Sequence, residues 1–223
     1  MTAQVVIFLR AEPGKRTLRR LDQAVARNLG HRRQTLVFLH GDAVSLAVDN
    51  CPERWRSPGA DRRLELQVCT AAWQRRHPGR KPASGWQRAS LVGLWDRLLR
   101  GADIDCLVDC KVQPAQPEGT GAEFLIEVSA APAEPGSTEM LELVLAGASL
   151  DAQMQVLFRG AGVAHLDLPD ARAWQQLHDF ELARLFHAAG ARPEGLMPAL
   201  PSIGLDSKAM AALAHQARAV IYL

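Results

Sequence analysis

Residues 64–76 read LELQVCTAAWQRR, and the interpretation of the whole chain starts from this stretch. Apolar and polar residues alternate up to Cys69, which predicts a β-strand, and a short helix-favouring segment follows at once. Cys69 is therefore expected at the carboxyl edge of a sheet and at the amino end of a helix. Helix N-termini and nearby cations favour a thiolate, and Arg75 and Arg76 follow within two turns. The pattern predicts a reactive cysteine, with an inert buried thiol as the alternative.

The residues before this stretch have a strand–helix–strand pattern. Residues 5–9 and 35–39 are continuous apolar runs, typical of parallel strands covered on both faces. Residues 17–30 between them have the apolar spacing of an amphipathic helix. Gly41 comes just after the second run and permits a sharp turn into a helix, and His40 lies at the same edge. The segment predicts a right-handed crossover unit.

The residues after the stretch complete a first domain. Residues 50–63 are predicted to form a loop, and the basic segment 77–85 a flexible one beside the thiol. Ser90 is expected to begin an amphipathic helix, and residues 104–108 to form a last strand with Cys106 in the core. Residues 111–122 contain two prolines and read as a linker.

The second half repeats this plan. Residues 124–128 correspond to the first strand. Residues 155–163 lie 119 residues after residues 36–44, the run that contains Gly41. Residues 182–189 correspond to the cysteine strand, with His187 at the predicted equivalent of Cys69, and 219–222 end the chain as a strand. A period of this length indicates duplicated domains. We predict an α/β protein with two tandem domains, 1–110 and 123–223, each a mainly parallel sheet with helices on both faces.

Composition excludes several classes of function. No apolar run of about 18 residues and no amino-terminal leader pattern occurs, so we expect a cytoplasmic protein with no membrane segment. The four cysteines form no CxxC pair, so neither a metal site nor a disulfide framework is expected. No GxGxxG motif occurs, so a dinucleotide site is rejected, and we expect no cofactor.

The charges divide between the halves. Residues 1–118 hold 20 Lys and Arg against 12 Asp and Glu, a net of +8, whereas residues 119–223 hold 6 against 12, a net of −6. Such opposite fields favour head-to-tail association or an acidic partner on the first half, although surfaces that merely differ in composition are about equally plausible. Direct nucleic-acid binding is not expected, because no aromatic platform is interleaved with the cations.

The order of these features resembles the DsrE/DsrF-like sulfur-relay family. Residues 1–110 resemble a TusD or DsrE subunit through residues 36–44, the cysteine segment 68–76, and the run from Ser90 to Val108. Residues 123–223 resemble a TusC or DsrF subunit through 157–163 and 186–189. The chain departs from the family pattern by fusing both subunit types and by having His187 where some TusC-like sequences have cysteine.

The resemblance implies a flavodoxin-like three-layer fold, assembly of six such domains, and a cysteine that carries sulfur as a persulfide. Cys69 matches that cysteine. The implied partners are TusA-like and TusE-like sulfur carriers, together with a TusB-like subunit or further copies of the chain, for example a trimer of two-domain chains. The implied pathways are 2-thiolation of tRNA and sulfur oxidation.

Competing roles remain for several residues. Arg75, Arg76, His40 and Gly41 are candidates for binding the substrate or partner, with His40 more often a plain surface residue. Cys51 and Cys110 are candidates for resolving an oxidised Cys69. The function hypotheses are a persulfide carrier of sulfurtransferase type, a non-catalytic DsrE-like structural or regulatory module, and a binder of small anions at the loops after residues 39 and 158.

Overall fold

The computed structural model describes residues 4–48, 62–107, 123–134, 136–190 and 198–223. The chain divides into two compact units, Met1–Asp109 and Cys110–Leu223. Among the described residues each unit contains a five-stranded, all-parallel sheet flanked by helices, which confirms the predicted α/β fold class of two tandem flavodoxin-like domains. The predicted linker, 111–122, lies outside the described residues. In the described part of the chain, no helix combines the length and apolar character needed to cross a membrane.

The first unit alternates strands and helices along the chain. Its elements are β1 (Gln4–Leu9), α1 (Lys15–Gly30), β2 (Gln34–Leu39), a first 3-10 helix (Gly41–Ala47), β3 (Leu64–Cys69), α2 (Thr70–Arg76), β4 (Gln87–Ala89), α3 (Leu91–Leu99) and β5 (Asp103–Asp105).

The strands of the first unit lie in the order β4-β3-β2-β1-β5. The chain therefore winds in one direction through four strands, and β5 returns to the far side of β1. Flavodoxin itself has a different strand order, so this sheet shares its three-layer class without its winding. In β1 and β2 every residue after the first is buried, because both faces of these central strands are covered.

The second unit repeats the sheet of the first, with different helices between its strands among the described residues. Its elements are β6 (Phe124–Val128), α4 (Ser137–Ala148), β7 (Met154–Phe158), a second 3-10 helix (Gly160–Leu166), α5 (Ala171–Asp179), β8 (Ala183–Ala188), β9 (Ile203–Leu205), α6 (Ser207–Gln216) and β10 (Ala219–Tyr222). The strand order is β10-β6-β7-β8-β9. This is the order of the first unit, with β6 in the place of β1 and β10 in the place of β5.

Helix packing follows the apolar spacing of the sequence. In α3 the buried residues are Leu91, Leu94, Trp95 and Leu98. The side chain of Ser90 accepts a hydrogen bond from the N–H of Gly93, so Ser90 caps the helix at the position where the sequence predicts its start. In α6 no residue is fully buried. Its half-buried Met210 and Leu213 pack on a cluster formed by Leu125, Leu157, Phe186 and Ala217 of the second unit.

Two elements of the first unit differ from the prediction. The strand predicted over 104–108 is Asp103–Asp105, so Cys106 lies beyond its end and is only half-buried, and the prediction that it belongs to the core was wrong. The short strand β4 was not predicted, because its residues Gln87–Ala89 are polar and largely exposed. It forms an edge of the sheet and pairs with β3 alone.

Candidate functional site

Cys69 lies where the sequence places it, at the junction between β3 and α2. It is the last residue of the strand Leu64–Cys69 and the N-cap of the helix Thr70–Arg76. Its strand position is fixed by pairing with Ala89 of β4. The hydroxyl of Thr70 donates to the carbonyl oxygen of Ala89 at 3.1 Å, which holds the start of α2 against the end of β4. Helix N-terminal N–H groups favour negative charge in this region.

The register of the central strands brings His40 beside Cys69. Leu9 is paired with Leu39, and Leu39 with Val68, so the next residues of β2 and β3 are His40 and Cys69. His40 has extended backbone angles, φ −134° and ψ 167°, and its N–H donates to the carbonyl oxygen of Leu9 at 2.8 Å. The strand geometry therefore continues through His40, and both side chains belong to the same face of the sheet.

Gly41 makes the turn that follows. It has φ +53°, and a Cβ there would lie 2.7 Å from the carbonyl oxygen of Arg10. That oxygen accepts a hydrogen bond from the N–H of Ala43 at 3.0 Å. Any larger residue would thus meet both backbone strain and a steric clash. Gly41, predicted as a binding residue, has a clear backbone role at this edge of the sheet.

Arg76 and Arg75 have different surroundings. The guanidinium Nε of Arg76 donates to Oδ1 of Asp42 at 2.7 Å, with 20% of the arginine side chain and 41% of the aspartate side chain exposed. This ion pair joins α2 to the first 3-10 helix, so the charge of Arg76 is directed to Asp42. Arg75 is exposed. Asp42 was not singled out from the sequence, although it directly follows Gly41.

Access to the thiol is closed in this conformation. Cys69 is 1% exposed, His40 is 0% exposed, and Ala72 and Trp73 of α2 are buried as well. The basic segment after α2 is held by hydrogen bonds from the indole N–H of Trp73 to the carbonyl of Arg80, at 2.9 Å, and from the N–H of Ala83 to the carbonyl of Ala47, at 2.7 Å. A protein partner would therefore reach the sulfur only after a local opening of the structure.

Cys106 is too distant from Cys69 to form a disulfide with it. Both are free cysteines. Cys106 follows β5, which is separated from β3 by β2 and β1. Three strand spacings amount to about 14 Å, and a disulfide requires Cα atoms within about 7 Å. Cys51 and Cys110, the predicted candidates for resolving Cys69, lie outside the described residues.

The second unit contains alanine, not histidine, at the position of Cys69. Gly41 and Gly160 both begin a 3-10 helix with positive φ and are 119 residues apart. The same offset relates Cys69 to Ala188, and each is the final residue of its strand. His187 corresponds to Val68, because it pairs with Phe158 as Val68 pairs with Leu39. The predicted equivalence of His187 was therefore wrong by one residue, which places its side chain on the opposite face of the sheet.

His187 has its own polar partner. Its Nδ1 lies 3.0 Å from the hydroxyl oxygen of Ser202. Gly204, which pairs with His187 in the sheet, leaves room for the ring, since a Cβ there would lie 3.3 Å from Nε2. Arg159 corresponds to His40, and its guanidinium donates to Glu127 at 2.8 Å. In the second unit the edge thus contains an imidazole–hydroxyl pair and an ion pair.

A second buried histidine was missed by the sequence analysis. His165 is 3% exposed and lies in the second 3-10 helix, at the position of Leu46 in the first unit. The indole N–H of Trp174 donates to its Nδ1 at 3.1 Å, and its Nε2 is 3.2 Å from the carbonyl of Ala130. Nδ1 therefore accepts and Nε2 donates, which requires the neutral ring. Burial lowers the pKa of His165, against the raising effects of the Ala130 carbonyl and of Asp170.

Within the described ranges, no three His, Cys, Asp or Glu side chains cluster in a way that could hold a metal ion. Fold and site together define a two-domain α/β protein with Cys69 at a sheet edge of its first unit. Comparison of the chain with protein-family models, curated proteins and solved structures found no match.

Proposed function

We propose that this protein is a sulfur-relay protein that carries sulfane sulfur as a persulfide on Cys69 and passes it between carrier proteins. The observation that carries the proposal is the position of Cys69, at the carboxyl edge of a parallel sheet and at the start of α2. The resemblance to DsrE-like and TusD-like subunits supports it. TusA-like and TusE-like carriers are the proposed donor and acceptor, in tRNA thiolation or in sulfur oxidation.

The chemistry of the step needs one thiolate and one persulfide. The Cys69 thiolate attacks the outer sulfur of the donor's persulfide, a new S–S bond forms, and the old S–S bond breaks. Its electron pair leaves with the donor, which becomes a thiolate. The acceptor's thiolate then takes the outer sulfur from Cys69 in the same way. Sulfur moves without any external oxidant or reductant, so the protein must supply only an ionised thiol and access to it.

Because Cys69 is 1% exposed, transfer is expected to depend on opening of the β3–α2 junction. If opening and closing are fast relative to the reaction, the observed rate is the rate in the open form multiplied by the open fraction. An opening free energy of about 3 kcal/mol would slow the reaction roughly 150-fold relative to a peptide. A partner that stabilises the open form would remove this factor.

Persulfide formation tests the proposal directly. The intact chain is incubated with a low-molecular-weight persulfide, for example glutathione persulfide, and digested under conditions that preserve the adduct. We expect a mass gain of one sulfur atom on the Cys69 peptide, and a rise of that adduct in urea below the unfolding transition. Cys69→Ala removes the adduct. Cys106, half-buried on the same chain, serves as an internal measure of non-specific modification.

The near-complete burial of Cys69 favours a second candidate function, a non-catalytic structural or regulatory module of DsrE-like fold. In that case Cys69 is a small packing residue. In that role no persulfide would form on Cys69, even in urea that exposes it to alkylation. That absence contradicts the relay once alkylation shows that the thiol was accessible.

Assembly forms part of the proposal. If six domains of this kind associate, three two-domain chains form the assembly. Two chains together with two TusB-like subunits would also supply six domains. Light scattering on the purified chain distinguishes a trimer from a monomer, and a monomer alone and with every candidate subunit would contradict both arrangements.

A further inference from the structure

We propose that His40 is the proton acceptor for Cys69, so that the two residues act as one acid–base pair at the edge of the first sheet. The use of this pair in sulfur transfer rests on the function proposed above for Cys69. The pair itself is inferred from register, burial and comparison of the two units.

Register brings the two side chains together. Phe38 is paired with Gln67, and Leu39 with Val68, so His40 falls opposite Cys69 on the face that Phe38 and Gln67 share. Adjacent strands are about 4.8 Å apart, which makes residues opposite each other side-chain neighbours. The His40 ring lies on this same face, because its centroid is 6.0 Å from that of Phe8, which is paired with Phe38.

Burial makes the pairing chemically significant. His40 is 0% exposed and Cys69 is 1% exposed, so water cannot readily accept the thiol proton at this point. A buried imidazole is a base whose ordinary pKa lies near neutrality, and it ranks among the commonest activators of a cysteine. When the S–H bond breaks, its electron pair remains on sulfur, and the proton forms an N–H bond on the imidazole. Charge is conserved within the pair, and no further reactant is needed.

The second unit provides an internal comparison. At the position of His40 it has Arg159, and at the position of Cys69 it has Ala188. The Arg159 side chain is 47% exposed and is paired with Glu127, so this position has no intrinsic need for a buried ring. Imidazole and thiol are therefore present together in one unit and replaced together in the other. That is the pattern expected of two residues that depend on each other.

Other charges near the pair are mostly compensated. The elements next to the pair and the residues that flank them include Arg10, Asp42, Glu65, Arg75, Arg76, His77, Arg88 and Arg97. Asp42 is bonded to Arg76 at 2.7 Å, and Glu65 to Arg97 at 2.7 Å and 3.3 Å. Glu65 also lies four residues before Cys69 on β3, about 13 Å along the strand. His40 is therefore the titratable side chain that the register brings closest to the sulfur.

The test measures how the alkylation rate of Cys69 by iodoacetamide depends on pH, with the Cys69 peptide quantified by mass spectrometry. The midpoint of this pH dependence is the pH at which the alkylation rate is half its maximum. Loss of a proton acceptor within about 4–6 Å shifts that midpoint by roughly one to three pH units. We expect the midpoint for His40→Gln to be higher than that of the unmodified chain by this amount. His77→Gln is the matched control, since His77 packs on Trp73 with centroids 4.6 Å apart and is not in register with Cys69. Equal midpoints for His40→Gln and the unmodified chain would overturn the pair.

A second measurement applies if His40→Gln does not fold. In Cys69→Ala, which reproduces the residue found at the equivalent position of the second unit, the imidazole of His40 is titrated by nitrogen-detected NMR. Loss of the thiolate should lower the His40 midpoint by about one pH unit or more. An unchanged midpoint contradicts the proposal. A shifted His40 midpoint in Cys69→Ala, combined with failure of the unmodified chain to form a persulfide on Cys69, would support the pair and refute the relay.

Discussion

The buried histidine of the second unit makes the stability of that unit dependent on pH. In the folded unit, His165 is held neutral, because Trp174 donates to its Nδ1 and a second proton there would oppose the indole N–H. Burial lowers its pKa from the ordinary 6.5. In the unfolded chain His165 binds a proton near that ordinary value. The unit is therefore fully stabilised above pH 6.5 and loses stability as the pH falls below it.

The magnitude follows from proton linkage. One proton bound only by the unfolded chain changes the free energy of unfolding by at most about 1.4 kcal/mol per pH unit. Between about pH 7.5 and 5.5 the contribution of His165 integrates to about 1.4 kcal/mol if its folded pKa lies below that range, and to less if its folded pKa lies within it. Acidification should therefore lower the urea midpoint of the second unit by roughly 0.5–1.4 M, with an m-value of about 1–3 kcal/mol/M.

The assay is urea unfolding at both pH values, read by hydrogen exchange of peptides that cover β7 and α5. His165→Leu introduces the residue that stands at this position in the first unit, Leu46. It should lower stability at the higher pH by about 1–3 kcal/mol, because the Trp174 N–H and the Ala130 carbonyl lose their partner. It should also flatten the pH dependence. His178→Gln, at a side chain 46% exposed, is the control. If His165→Leu retains the full pH dependence, the reasoning is refuted.

Two further predictions concern backbone positions. Gly162→Ala should destabilise the second unit by about 1–3 kcal/mol, because a Cβ would overlap the carbonyl of Val128. Gly30→Ala is the control, since no atom lies within 4 Å of its added Cβ, and it should be neutral or stabilising. Ser90→Ala should lower the stability of the first unit by about 1 kcal/mol through loss of the bond to the Gly93 N–H. Ser207→Ala, one residue beyond a cap, should have little effect. Thermal unfolding measures the stability of each variant and of its control. An equal loss of stability in a variant and its control would contradict the assigned cause.

The strong local signals of the sequence were sufficient to predict the frame of the fold. The apolar runs 5–9 and 35–39 became β1 and β2 to within one residue, because covered parallel strands must be apolar on both faces. The junction at Cys69 was predicted for a similar reason, since a change from strand to helix periodicity at one residue has few structural solutions.

What the sequence could not supply was geometry between distant segments. The strand β4 is short and polar and exists through its pairing with β3, so no local signal marks it. The ion pair between Arg76 and Asp42 joins residues 34 apart in the chain. The assignment of His187 to the position of Cys69 failed by one residue, and in a strand one residue reverses the face. The burial of Cys69 likewise depends on packing from several elements.

The alanine at the end of β8 has a consequence for stoichiometry. If Cys69 carries sulfur as proposed, the first unit alone holds it at this position, because the methyl side chain of Ala188 in the second unit has no atom that can bond to sulfur. In an assembly of such chains, the units that can carry sulfur would then number half of all units, and bound sulfur would be counted per chain rather than per domain.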